Sequence, residues 1–197
     1  MNMASYENIR RLSRGKFSYP RFIELKELAD STIGCSNESD EQIINSILNL
    51  YDAVVGEIEA IESRIKLIMS QLHSPVETIP GIGYISAATI ISEYGDIGRF
   101  PNADKMLAFA GLDCGRSQSG TQDFKGKMVK HGSSYLREAI FNVSETVVLN
   151  CPAFYEYYHK KRSEGKPHRV ALSHVARKLV RIIYKLVSTN TSFSLAL

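Results

Sequence analysis

The most regular pattern in the chain lies between residues 44 and 72. Apolar residues fall at Ile44, Ile47, Tyr51, Val54, Ile58, Ile61, Ile65, Ile68 and Leu72, with spacings that alternate three and four. A 3.5-residue period held for four heptads predicts an a/d seam of a coiled coil rather than the broader stripe of a core helix. Ser36-Asn37-Glu38-Ser39-Asp40 precedes it, a cluster of cap residues with acids suited to the positive end of a helix, and Ser74-Pro75 ends it. Glu57, Glu62 and Arg64 fall at flanking e and g positions that set partner choice.

Elsewhere the pattern is also helical. Arg21 to Gly34 reads as a short helix with Phe22, Leu25, Leu28 and Ala29 on one side. In residues 76–95, Val76 and Ile79 precede the turn Pro80-Gly81-Ile82-Gly83, and Ala87, Ala88, Ile90 and Ile91 follow at helical spacing. This has the form of a helix-hairpin-helix. Gly81 and Gly83 permit a tight turn whose main-chain amides can approach a phosphate, and the alanines let two helices cross closely. Asn102 to Ala110 predicts a capped helix stopped by Gly111. Three more helices follow: one from Ser133 or Ser134 to Asn150, one opening at Pro152, and one from Pro167 to about Val187. The last has Val170, Val175, Leu179, Ile182, Ile183 and Leu186 as its buried stripe. The tail TNTSFSLAL reads as frayed. Between them, residues 113–132 are polar and lack helical period, which predicts a loop or an irregular hairpin around Phe124-Lys125-Gly126-Lys127. The expected fold class is all-α, a long coiled-coil helix followed by a helical domain.

Charge changes the picture. The whole chain carries a formal +3, yet residues 38–78 are −6, residues 79–98 are −2 and residues 99–197 are +9. A basic C-terminal half points to a polyanionic partner. On the last helix Arg177, Arg181 and Lys185 recur every four residues, with His174 and Lys178 beside them, a ladder able to track phosphates. No apolar run approaches the roughly 20 residues of a membrane span. Cys35, Cys114 and Cys151 are odd in number and far apart, and the five histidines lack ligand spacing, so neither a disulfide framework nor a transition-metal site is expected. The nucleophile candidates are Ser117 and Ser119, flanked by Arg116, Lys125, Lys127, Lys130 and His131, whose cations suit the charge that develops on a phosphate.

The collinear series IPGIG, RF, LAFAGL, SG, KHG, YLR and ARKL over residues 76–187 resembles the C-terminal domain of bacterial insertion-sequence transposases related to pilin-gene invertases. Some members of that family are guided by a bridge RNA. The resemblance implies a strand-exchange enzyme in which an N-terminal RuvC-like domain holds divalent metal with four acids. A coiled coil then leads to a domain whose serine becomes covalently joined to DNA. The serine of the family's S-G motif falls on Ser119, with Ser117 the alternative if the register slips by two. The following basic and glycine positions fall on Lys130, Gly132 and Arg137, and a later Arg-Lys pair on Arg177 and Lys178. The expected organisation is an N-terminal helical segment (1–37), a coiled-coil dimerisation helix (38–75), a DNA-binding transposase domain (76–188) and a tail (189–197). The resemblance implies DNA as partner, a guide RNA in some members, and a homodimer or larger oligomer in the bacterial cytoplasm. Magnesium is expected only with the N-terminal domain, which needs more residues than precede the coiled coil, so this chain alone is expected to be inactive. The rival reading is a non-catalytic nucleic-acid-binding and dimerisation module.

Overall fold

A computed structural model describes residues 3–31, 33–34, 38–119 and 122–194, with side chains described outside 3–5 and 114–127. The fold is all-α apart from one two-stranded hairpin. Its elements are α1 (Met3–Leu12), α2 (Tyr19–Ser31), α3 (Glu38–Leu72), α4 (Tyr84–Tyr94), α5 (Ala103–Phe109), β1 (Cys114–Ser119), β2 (Gln122–Met128), α6 (Ser134–Asn150), α7 (Pro152–Ser163) and α8 (His168–Thr189). The chain divides into two compact units, Met1–Val55 and Gly56–Leu197.

In the first unit, α1 and α2 meet through an aromatic cluster. The Tyr6 ring lies 5.1 Å from Tyr19 and 5.3 Å from Phe22. Phe22 is buried there, whereas Leu25 and Leu28 on the same predicted side are exposed. The acids Glu38, Asp40 and Glu41 occupy the first turn of α3, where the helix dipole favours them. Ser36 and Asn37 of the expected cap cluster lie outside the described residues. At 35 residues, α3 is about 52 Å long. Its seam is not covered: Ile44, Ile47, Tyr51, Val54, Ile58, Ile61 and Ile68 are between 49% and 60% exposed.

The second unit holds the main core. Helix α8 runs through it, packed on α5, α6 and α7, with Ala171, Val175, Ala176, Leu179, Val180, Ile183 and Leu186 buried. Near the end of α3, Met69 joins this core and Ile65 packs against it. Two expectations for α8 fail. Val170 is exposed, and Ile182 is only partly buried. Both flank a buried stripe that keeps the predicted Val175, Leu179, Ile183 and Leu186 and adds Ala171, Ala176 and Val180. The tail is not frayed at Phe193, whose ring packs on the core near Phe154 and whose amide donates to Thr78 Oγ1 at 2.7 Å.

Capping places the helices as their sequences predict. Asn102 Oδ1 accepts from the Lys105 amide and Ser133 Oγ from the Leu136 amide, while Pro152 opens α7. Before Pro80-Gly81-Ile82-Gly83 stands only a one-turn 3-10 helix, Pro75–Thr78, so the turn joins a single full helix, α4, to a short stub. Within the polar segment β1 pairs antiparallel with β2, Ser119 opposite Gln122. Phe124 to Lys127 therefore lie within strand β2 and not at the tip.

Candidate nucleic-acid interface

The hairpin that carries Ser117 and Ser119 is anchored at its stem by two glycines. Gly111 and Gly132 have φ of +65° and +139°, in the region that favours glycine. A Cβ on Gly132 would collide with the Phe109 carbonyl oxygen and stand 2.8 Å from the Gly111 amide nitrogen. The close approach allows Ser133 N–H to donate to Phe109 O at 3.0 Å, and Val129 N–H to Asp113 O at 2.8 Å. Arg137 belongs to this stem, its Nη1 donating to the Lys130 carbonyl at 3.4 Å in the space a Cβ on Gly111 would need. Ser133 Oγ also donates to Glu93 Oε2 at 2.7 Å, which ties α6 to α4. The sequence could reveal these glycines but not their neighbours, because Phe109 and Gly132 are brought together by the whole polar insertion.

Within the ladder, Ser119 pairs with Gln122, Ser117 with Phe124, and Arg116 with Lys125. Strand alternation therefore gives Ser117 and Ser119 equivalent ladder positions, and Arg116 with Lys125 the alternate ones. Lys127 follows in β2, and Lys130 is exposed just after it.

Gly81 and Gly83 differ. Gly81, at φ +96°, leaves no room for a side chain: a Cβ would stand 2.7 Å from Thr146 O and 2.9 Å from Val147 Cα. Its own carbonyl accepts from Thr146 Oγ1 at 2.8 Å. Gly81 thus packs the turn onto α6. Gly83 is exposed, has open space around it and caps α4 without a side chain.

The α8 ladder is largely engaged within the protein. Arg181 pairs with Asp104 at 3.2 Å. Lys178 donates to Ala153 O and lies over the Phe154 and Tyr157 rings, at 5.1 and 4.8 Å. Arg177 donates to Ser173 O and lies 3.2 Å from His174 Nδ1. Lys185 is exposed. Burial holds the His174 pKa below its ordinary value, and the positive charges of Arg177, Lys166 and Lys161 add to that against Glu164. In the core, burial pushes the Tyr94 phenol up, so it stays neutral and donates to Met106 O.

Sequence reasoning from motif positions overlooks Lys160, Lys161, Arg162, Lys166 and Arg169 around the α7–α8 turn. Five cations against one carboxylate, Glu164, in residues 159–169 were the available signal. Among the described residues, no group of three His, Cys, Asp or Glu side chains fits a metal ion, and no helix is long and apolar enough to cross a membrane.

Comparison with known proteins fits this arrangement. Residues 73–159 match the family model described as Transposase IS116/IS110/IS902 family. The chain is 30% identical over 155 residues to the insertion element IS110 uncharacterized 43.6 kDa protein of Streptomyces coelicolor, covering 77% of this chain and 38% of that protein. It is 30% identical over 122 residues to the pilin gene-inverting protein of Moraxella bovis, covering 61% of this chain and 38% of the relative. A probable family 20 transposase of Pseudomonas aeruginosa is 27% identical over 150 residues, 70% of this chain and 44% of the relative. The chain spans well under half the length of these relatives. Residues 73–159, which contain the turn, the hairpin and its stem, carry the domain of the IS116/IS110/IS902 transposase family.

Proposed function

We propose that the second unit is the DNA-binding part of a transposase and that Ser119 is the residue that becomes joined to DNA. The supporting observation is a serine at the last position of β1, on a hairpin whose stem is fixed by Gly111, Gly132 and Arg137, in a chain half of net charge +9. A seryl oxygen that attacks a phosphodiester forms a Ser–O–P bond. The P–O bond to one sugar breaks, the sugar hydroxyl leaves carrying a proton, and the serine proton passes to a base. Nearby cations stabilise the charge on phosphorus. Lys130 and Lys185 contribute phosphate contacts, whereas Arg137, Lys178 and Gly81 act chiefly by holding the frame. The acids that hold metal in this reading belong to a separate N-terminal domain, so with Mg²⁺ this chain alone leaves DNA uncut. The protein works in the bacterial cytoplasm.

The α3 seam supports a second proposal, self-association. Its half-exposed apolar positions keep a self-complementary heptad register along a helix of 35 residues, which suits a second copy of the same helix.

The experiment combines the chain with the separately made part of the S. coelicolor relative that lies outside the match, Mg²⁺ and duplex DNA carrying that element's ends. Covalent adducts are then mapped by peptide mass. A phosphoserine link at Ser119, absent in Ser119→Ala, is expected. DNA binding without any adduct would instead favour a non-catalytic binding module.

A further inference from the structure

We infer that the end of α7, the turn after it and the start of α8 form a second phosphate-binding surface, which grips the backbone of duplex DNA through Lys160 and Arg169. The inference rests on the proposal that the chain binds DNA. It does not use the hairpin or the α8 ladder.

Helix stability accounts for only part of this charge. Lys160, Lys161 and Arg162 in the last turn of α7 complement its negative end. Arg169 sits in the first turn of α8, where no acid is present and the helix dipole opposes a cation. The cations are also under-compensated. Lys161 and Lys166 share one carboxylate, with Nζ at 2.8 and 3.8 Å from the two oxygens of Glu164. Positive charge from α7, the turn and α8 converges on His174, which is why Lys161, Lys166 and Arg177 all disfavour its protonation.

Availability separates this surface from the ladder. Arg181 and Lys178 are held by Asp104 and by α7, whereas Lys160 and Arg169 are exposed and make no ion pair among the described residues. The turn itself is fixed. Arg162 Nη1 donates to Lys166 O at 2.8 Å, and Tyr158 Oη lies 2.7 Å from His168 Nδ1. Cations on a fixed frame suit the regular phosphate rows of a duplex.

The test is fluorescence anisotropy of a labelled 30-base-pair duplex titrated with the full chain. The variants are Lys160→Glu/Arg169→Glu and, as an equal charge reversal elsewhere, Lys16→Glu/Lys26→Glu; circular dichroism checks their folding. The first pair is expected to weaken binding at least tenfold and to lower the salt slope of log K by about 2, with little change in the second pair. Equal loss in both pairs, or wild-type affinity in the first, overturns this surface. Loss seen only with the matching RNA overturns its assignment to DNA. If the wild-type chain itself fails to bind the duplex, the broader DNA-binding reading falls first.

Discussion

At the residue scale, the glycines divide by what stands next to them. Gly132→Ala places a methyl group against the Phe109 carbonyl at a positive φ, so the hairpin stem has to open. A loss of about 2–4 kcal/mol in urea unfolding is expected. Gly83→Ala meets open space and is expected to cost about 0.5 kcal/mol, from the poorer cap. His174 supplies a sign for pH. Its pKa is lowered in the fold by burial and by Arg177, Lys166 and Lys161, with Glu164 opposing. As pH falls from the ordinary histidine value towards the lowered native one, the unfolded chain takes up a proton that the fold resists, so stability decreases. Denaturation at pH 7.5 and 5.5 is expected to show this decline, and His174→Gln to lessen it. None of these neighbours is adjacent in sequence, which is why the glycines were legible as turn-formers while the reasons for Gly81 and Gly132 were not.

At the element scale, local chemistry was readable and long-range pairing was not. Asn102, Ser133 and Pro152 mark helix starts through contacts within three residues of themselves, so their positions follow from sequence alone. The hairpin left no such mark. Residues 114–119 and 122–128 lack the alternation of a half-buried strand, and only their pairing with each other makes them strands. Phe193 was illegible for a related reason, since its partners Phe154 and Thr78 are distant in sequence. The α3 register was clear, and its consequence is testable. Ile58 and Ile61 are exposed on the seam, whereas Ile65 packs on the core and would confuse the result. Ile58→Asp/Ile61→Asp is expected to halve the sedimentation mass with an unchanged helical spectrum. An unchanged mass would contradict pairing through this helix.

At the scale of the whole molecule, a formal +3 conceals a −6 segment over residues 38–78 and a +9 half that includes the hairpin, α7 and α8. The charge map was legible at once. The structure adds which cations are engaged: Lys178 and Arg181 of the predicted ladder contact α7 and α5, while Lys160 and Arg169 beside the α7–α8 turn are exposed. A half of this charge is expected to bind DNA through its phosphates. The most direct measurement is the affinity of the full chain for a 30-base-pair duplex at 50 and 200 mM salt. With four phosphates neutralised, affinity is expected to fall about a hundredfold between the two conditions. Absent binding, or binding indifferent to salt, would contradict the account.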